Sequence, residues 1–304
     1  MLASLSIVLP VFGLIGIGYL ARRFDVLSDR TGDGLSAFVF TLAVPCLIFR
    51  TLMRAEIPTV QPWGYWISYF AAVAVVWGLA MVAARIAGLS GTPAVVAGFS
   101  AGQANTVLIG VPMILKAYGE EGAVPLFLLI AVHLPVTMTL ATLLAEGRRA
   151  SPLGLVRQLL IHPIIIGVIA GSALRPAAGF VPDPAWQVVD LIASAAVPCS
   201  LISMGIALRR YGLEAGWRLP GVITALKLII HPLVVLVLAT QVFDMPRAWA
   251  GVAVLFAACP TGINAYLFAQ RYGEGVALSS TTIALSTGLA LVTIVVWLQA
   301  LGVT

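Results

Sequence analysis

Three short patterns occur twice in this chain at nearly one spacing, so its fold must accommodate the same unit two times. Pro10, Gly18 and Arg22 are matched 153 positions later by Pro163, Gly171 and Arg175. Ala43-Val44-Pro45-Cys46 returns at the same offset as Ala196-Val197-Pro198-Cys199. Tyr118-Gly119-Glu120 returns 154 positions on as Tyr272-Gly273-Glu274. Three matches in order predict an internal duplication.

The unit being repeated is built of apolar helices. The 304 residues are 61% hydrophobic and only 10% charged, against roughly 25% charged in soluble proteins. The chain therefore lacks the polar surface needed to face water. A helical membrane span needs about 20 largely apolar residues. Apolar length and turn chemistry predict ten of them, near 4–21, 33–53, 64–87, 94–117, 122–145, 155–175, 185–208, 219–242, 247–270 and 276–300. The turns between them include Arg22-Arg23-Phe24-Asp25, Pro58 with Pro62, Gly91-Thr92-Pro93 and Pro182-Asp183-Pro184. The runs are continuous rather than alternating, which excludes a β-barrel. No basic residue precedes the first run and Arg22-Arg23 follow it, so a signal peptide is not expected. Six tryptophans (Trp63, Trp66, Trp186, Trp217, Trp249 and Trp297) fall near predicted span ends, where the amphipathic indole favours the interface. Cys46, Cys199 and Cys259 lie in apolar segments without metal-ligand spacing and read as reduced, packed residues. The net charge of +5 is dispersed through loops, with no nucleic-acid patch.

Basic residues set the orientation. Loops after odd-numbered spans hold 11 of the 17 (Arg22, Arg23, Arg30, Arg85, Arg148, Arg149, Arg157, Arg209, Arg210, Arg218, Arg271). Loops after even-numbered spans hold five (Arg50, Arg54, Lys116, Arg175, Arg247), and Lys227 lies inside a span. The positive-inside rule then places both termini outside a cell inner membrane. Five spans per unit is odd, so residues 1–150 and 151–304 form two five-helix repeats of opposite orientation. Inverted repeats of this kind commonly hold a binding site between them.

Prolines recur inside the predicted spans at Pro10, Pro45, Pro112, Pro125, Pro135, Pro163, Pro198, Pro232 and Pro260, and neighbouring helices can satisfy the carbonyls they free. Two prolines keep different company. The fourth span carries Gly102-Gln103-Ala104-Asn105-Thr106, then Gly110 and Pro112; the ninth carries Cys259-Pro260-Thr261-Gly262-Ile263-Asn264. Glycine, proline and an amide side chain meet near mid-membrane at corresponding points of the two halves. Such segments are tolerable if they unwind beside a polar cavity, with half-helix N-termini directing partial positive charge at a carboxylate. The competing reading is a pair of kinks, with Asn105 and Asn264 hydrogen bonding between helices.

These motifs, Asn105 to Pro112 and Pro260 to Asn264 together with the paired Val-Pro-Cys spans, resemble the auxin efflux carrier family, which includes plant PIN carriers and bacterial malonate-transporter-like proteins. The resemblance covers essentially the whole chain. It implies a fold similar to bile-acid symporters and sodium/proton antiporters, with the fourth and ninth spans crossing as broken helices. It also implies a scaffold from spans 1, 2, 6 and 7, a mobile domain from spans 3–5 and 8–10, elevator-type alternating access, and a homodimer joined through the scaffold. The chain lacks the long hydrophilic loop of plant carriers, so regulation through that loop does not transfer.

Other polar residues inside the spans divide between two roles. Lys227 and His231 lie four apart, on one helix face. They either attract an anion or couple a proton to its movement, or they are structural. In the structural case Lys227 snorkels to the interface and His231 bonds a carbonyl freed by Pro232. His133 and His162 precede prolines and read as structural; Asp190 reaches the outer interface; Gly119 and Gly273 read as left-handed caps.

The expectation is thus an all-α polytopic membrane protein that transports a small organic anion, auxin-like or a dicarboxylate. Asn105, Thr261 and Asn264 would contact it, with Gly110, Pro112 and Pro260 holding the helices open. No nucleotide-binding motif, metal set or cofactor is expected. A sodium-coupled symporter of the bile-acid type is the alternative, weakened by the lack of acidic ligands near the crossing. An intramembrane enzyme lacks HExxH, GxSxG or an aspartate pair, and a receptor is disfavoured by the duplication.

Overall fold

A computed structural model describes residues 2–54, 63–147, 161–211 and 215–303. Ordered secondary structure among them is helical, apart from one isolated β-bridge. In chain order the helices are α1 (Leu2–Arg23), α2 (Asp29–Arg54), α3 (Trp63–Ile86), α4 (Thr92–Gly102), α5 (Thr106–Glu146) and α6 (Pro163–Phe180). They continue with α7 (Asp183–Leu208), α8 (Arg218–Val242), α9 (Arg247–Ala258), α10 (Ile263–Tyr272) and α11 (Val276–Ala300). Eight of these are long and apolar enough to cross a membrane, which makes this a multi-pass membrane protein. Residues 148–157 of the predicted join near Glu146 to Arg157, the start of the run at 155–175 and the Pro58 and Pro62 turn lie outside the described residues.

The distribution of side chains is that of a protein solvated by lipid. Leu9, Ile17, Ile67, Val75, Leu79, Leu289, Val292 and Val296 point outward. Ser68, Ser100, Thr137, Ser203, Ser279, Thr282 and Ser286 are buried. Polar groups turn inward because lipid offers them no hydrogen bonds.

Three interior prolines leave a common trace. A π-helical turn ends two residues before each: Val39–Ala43 before Pro45, Thr106–Gly110 before Pro112, and Leu226–Ile230 before Pro232. Proline lacks an N–H and its ring strikes the carbonyl four residues back; one widened turn relieves the clash without ending the helix. The freed carbonyl of Leu228 accepts the Trp297 indole N–H at 2.9 Å. This corrects two expectations, since His231 does not serve that carbonyl and Trp297 is buried rather than interfacial.

The 41-residue α5 is not one rod. Gly119 has φ 56° and ψ −140°, so the chain reverses there into a hairpin of two helices. That backbone needs glycine but is not the expected left-handed cap; Gly273, with φ 69° and ψ 11°, is one.

The helices pack α1 on the second half of α7, the second half of α2 on α6, α3 on α4, and the middle of α8 on α9. Glycine sets the first contact. A Cβ on Gly205 would collide with the Ile15 carbonyl oxygen, and one on Gly18 with that of Ile202. Without a strong hydrophobic drive between helices in lipid, this backbone approach is what holds them. Gly205→Leu is expected to separate α1 from α7 and lower the melting temperature of purified protein by several degrees. Gly13→Leu, where a side chain meets open space, is the control that should melt like wild type.

Candidate functional site

Two helices stop inside the protein and their unwound ends cross. The chain leaves α4 at Gly102, runs unwound through Gln103–Asn105 and re-enters helix at Thr106; Cys259–Gly262 likewise separates α9 from α10. The two segments meet antiparallel at Ala104 and Thr261. Asn105 N–H donates to Pro260 O at 2.8 Å and Gly262 N–H to Gln103 O at 3.1 Å. Thr261 Oγ1 donates to Ser100 O at 2.8 Å, and Thr261 N–H donates to Ser286 Oγ of α11 at 3.1 Å. Ala104 N–H donates to His133 Nε2 of α5 at 3.3 Å. Buried backbone must be paired, and here the strands pair with each other and with two imported side chains. Close approach is required as well, since a Cβ on Gly262 would lie 2.9 Å from Ala104 O.

The crossing brings four helix ends together. The C-terminal ends of α4 and α9 carry partial negative charge; the N-terminal ends of α5 and α10 carry partial positive charge. Beside them lies a cavity of about 260 Å³. Gln103, Thr106 and Asn264 line its crossing side, Thr142 and His162 its wall, and Arg271 is the one charged lining residue among the described residues. The remaining wall is apolar apart from Thr139 and includes Ile130, Met138 and Leu267. Asn264, Leu267 and Arg271 follow i, i+3, i+7 spacing on α10, so one helix face carries the amide inward and the guanidinium toward the mouth. Arg271 lies 3.8 Å from Glu146, which also accepts a hydrogen bond from Tyr272 Oη at 2.5 Å.

A second, wider cavity of about 820 Å³ lies toward the other end of the bundle, lined by Arg50, Arg54, Glu120, Glu121 and Trp249. The path of α5 separates the two. The first cavity touches Thr106 and Thr142, the second Gly119 and Val124. At 1.5 Å per residue, Val124 and Thr142 are about 27 Å apart along the helix. Arg50 and Arg54 share Asp190 at 3.3 and 3.4 Å, and Arg54 stacks over Trp186.

The sequence-predicted residues fall into different places. Asn264 faces the first cavity. Asn105 is buried and its amide donates to Met204 Sδ of α7 at 3.1 Å; only its backbone joins the crossing. Pro260 and Thr261 form the strand contact described above. Gly110 lets α5 approach Cys259, whose Sγ would be 3.1 Å from an added Cβ, and Pro112 is buried behind it. His162 caps α6, accepting Ile164 N–H at 3.4 Å, and also faces the cavity. Sequence reasoning missed Gln103, Thr106 and Arg271 as lining residues. Arg271 was legible only as a loop charge, and the signal that could have found it was its seven-residue spacing from Asn264.

Lys227 does not run to the interface. It is fully buried, and Nζ donates to Ala257 O at 2.7 Å and meets His231 Nδ1 at 3.1 Å. Tyr69 joins the two histidines, with its hydroxyl 3.0 Å from His133 Nδ1 and its ring centroid 5.4 Å from that of His231.

The chain matches a family model described as membrane transport protein over residues 3–298. It is 30% identical over 305 residues to a Rhizobium meliloti (strain 1021) protein named "Putative malonate transporter", covering 95% of this chain and 93% of the relative. It is 24% identical over 301 residues to an "Uncharacterized transporter" of Methanothermobacter thermautotrophicus (strain ATCC 29096), covering 97% and 98%.

Proposed function

Because this chain belongs to the membrane transport protein family, that of the auxin efflux carriers, and is a transporter rather than an enzyme, we propose that it carries a small carboxylate by alternating access at the helix crossing. The observation that carries this reading is the first cavity, where amides of both broken segments and the α10 N-terminus face one space with the Arg271 guanidinium at its mouth. A carboxylate accepts hydrogen bonds from Gln103, Thr106 and Asn264 and is drawn in by Arg271. Asn105, Gly110, Pro112, Pro260 and Thr261 keep the crossing open rather than touching the anion. The relative named for malonate makes a short dicarboxylate the first substrate to try.

The broken pairs α4 with the first half of α5, and α9 with α10, each count as one span. The second half of α5 counts as another. The chain then has ten spans in two inverted repeats, 1–150 and 151–304. A scaffold of α1, α2, α6 and α7 faces a mobile unit of the remaining helices, which slides as an elevator in a homodimer. Cavities toward both ends of the crossing suit such a cycle. Proteoliposome uptake of labelled malonate, succinate, acetate and indole-3-acetate tests the reading. Saturable uptake of at least one is expected, and uptake of none by folded protein rejects it.

The charge bias of 11 against five supports an orientation with both termini outside the inner membrane. Alkaline phosphatase fused after Thr304 should be active and a cytoplasm-dependent fluorescent fusion dark. The reverse pattern would remove this orientation.

A further inference from the structure

We infer that the Lys227 ammonium is a built-in cation that holds the C-terminal end of α9 at the crossing. A continuous helix would direct Thr261 N–H back to Ala257 O. Here Pro260 breaks the helix and Thr261 N–H goes to Ser286 instead, leaving Ala257 O without its helical donor at the negative end of α9. Lys227 Nζ fills that vacancy at 2.7 Å. Its second contact, His231 Nδ1 at 3.1 Å, accepts a hydrogen bond from the ammonium in the tautomer that carries its proton on Nε2. His231 Nε2 is then buried without a partner, a sign that its ring is oriented for the lysine and not for itself.

The surroundings fit a captive charge. Lys227 is fully buried, and among the described residues no carboxylate pairs with it. The groups near it are His231 on its own helix, Tyr69 of α3, His133 of α5 and the Cys259 thiol, which donates to Leu255 O. An unpaired buried ammonium is otherwise strongly unfavourable; a helix C-terminus is one environment that offsets this. Hard metal cations gather several oxygens, whereas this site gives one carbonyl and one imidazole, a pair suited to a directional N–H donor.

The functional consequence, a crossing that needs no metal ion to stay closed on itself, rests on the transport reading; the test does not. Purified protein in detergent is melted while sodium chloride replaces choline chloride at constant ionic strength. Wild type should melt at one temperature throughout. Lys227→Ala should melt lower by about 5 °C or more and regain part of that loss saturably with methylammonium, which fits the vacated place. Lys227→Met fills the space without charge and should stay low in methylammonium. Saturable stabilisation of wild type by sodium, or Ala and Met variants that melt like wild type, overturns the inference. Should Lys227→Ala not fold, Lys227→Arg against Lys227→Gln decides it: arginine should melt near wild type and glutamine well below, and equal melting overturns. No substrate enters these measurements, so they can fail while uptake succeeds, and the converse.

Discussion

Asn264→Ala in proteoliposomes is expected to weaken the apparent affinity for the transported carboxylate by roughly 10- to 150-fold. A hydrogen bond to a charged group contributes about 1.5–3 kcal/mol, and each 1.4 kcal/mol is a factor of about ten. Asn264 earns this weight because it faces the cavity from the first turn of α10, where the helix N-terminus adds to its pull on an anion. Arg271→Gln should also weaken uptake, by less. Its side chain is 57% exposed, so its effect should shrink as salt is raised, while that of Asn264 should not. Asn105→Ala is the internal comparison. Its amide is engaged by Met204, so affinity should hold within about threefold, while the melting temperature falls by a few degrees through loss of one buried hydrogen bond. Equal loss of affinity in both asparagine variants would show that Asn105 swings into the cavity during the cycle. Wild-type affinity in Asn264→Ala would remove the cavity from the transport path.

The positions of the helix breaks were legible in the sequence because their causes are local. Pro260 has no N–H wherever it sits, and the glycines flanking each amide are weak helix formers in any context. Apolar length likewise located most of the helices. What remained hidden depends on neighbours distant in the chain. Gln103 and Asn105 lie two apart in one unwound segment, yet one faces the cavity and the other faces α7. Strand periodicity would put both on one face; Asn105, with φ −77° and ψ 69°, leaves the extended conformation and its side chain goes to Met204 instead. Trp297 carried every mark of an interfacial residue until the carbonyl freed by Pro232 drew its indole inward. Lys227 was open to two readings from sequence, and its burial against α9 excludes the snorkelling one.

His133→Leu is expected to be the most destabilising single change at the crossing, although the residue lines neither of the two cavities. Its Nε2 accepts the Ala104 N–H and its Nδ1 meets the Tyr69 hydroxyl. Accepting at Nε2 leaves the proton on Nδ1, so the ring donates toward Tyr69. All three groups lie in the protein interior. Leucine fills similar space but offers no partner, leaving a backbone N–H and a phenol buried and unsatisfied at about 1–3 kcal/mol each. The N–H matters more, because Ala104 is the residue that bridges to Thr261. Its loss loosens both broken helices together. Tyr69→Phe removes only the outer bond and should cost roughly a third to a half as much, within the same range. His133→Gln can still present an oxygen to Ala104 and should recover part of the loss. The measurement is a melt of the three single variants and of the His133→Leu, Tyr69→Phe double variant in detergent. The double should melt above the sum of the two losses, since the phenol no longer needs a partner. A His133→Leu protein that melts within a degree of wild type would mean that water satisfies Ala104. The crossing would then be held by its own strand pairing and by Ser286 alone.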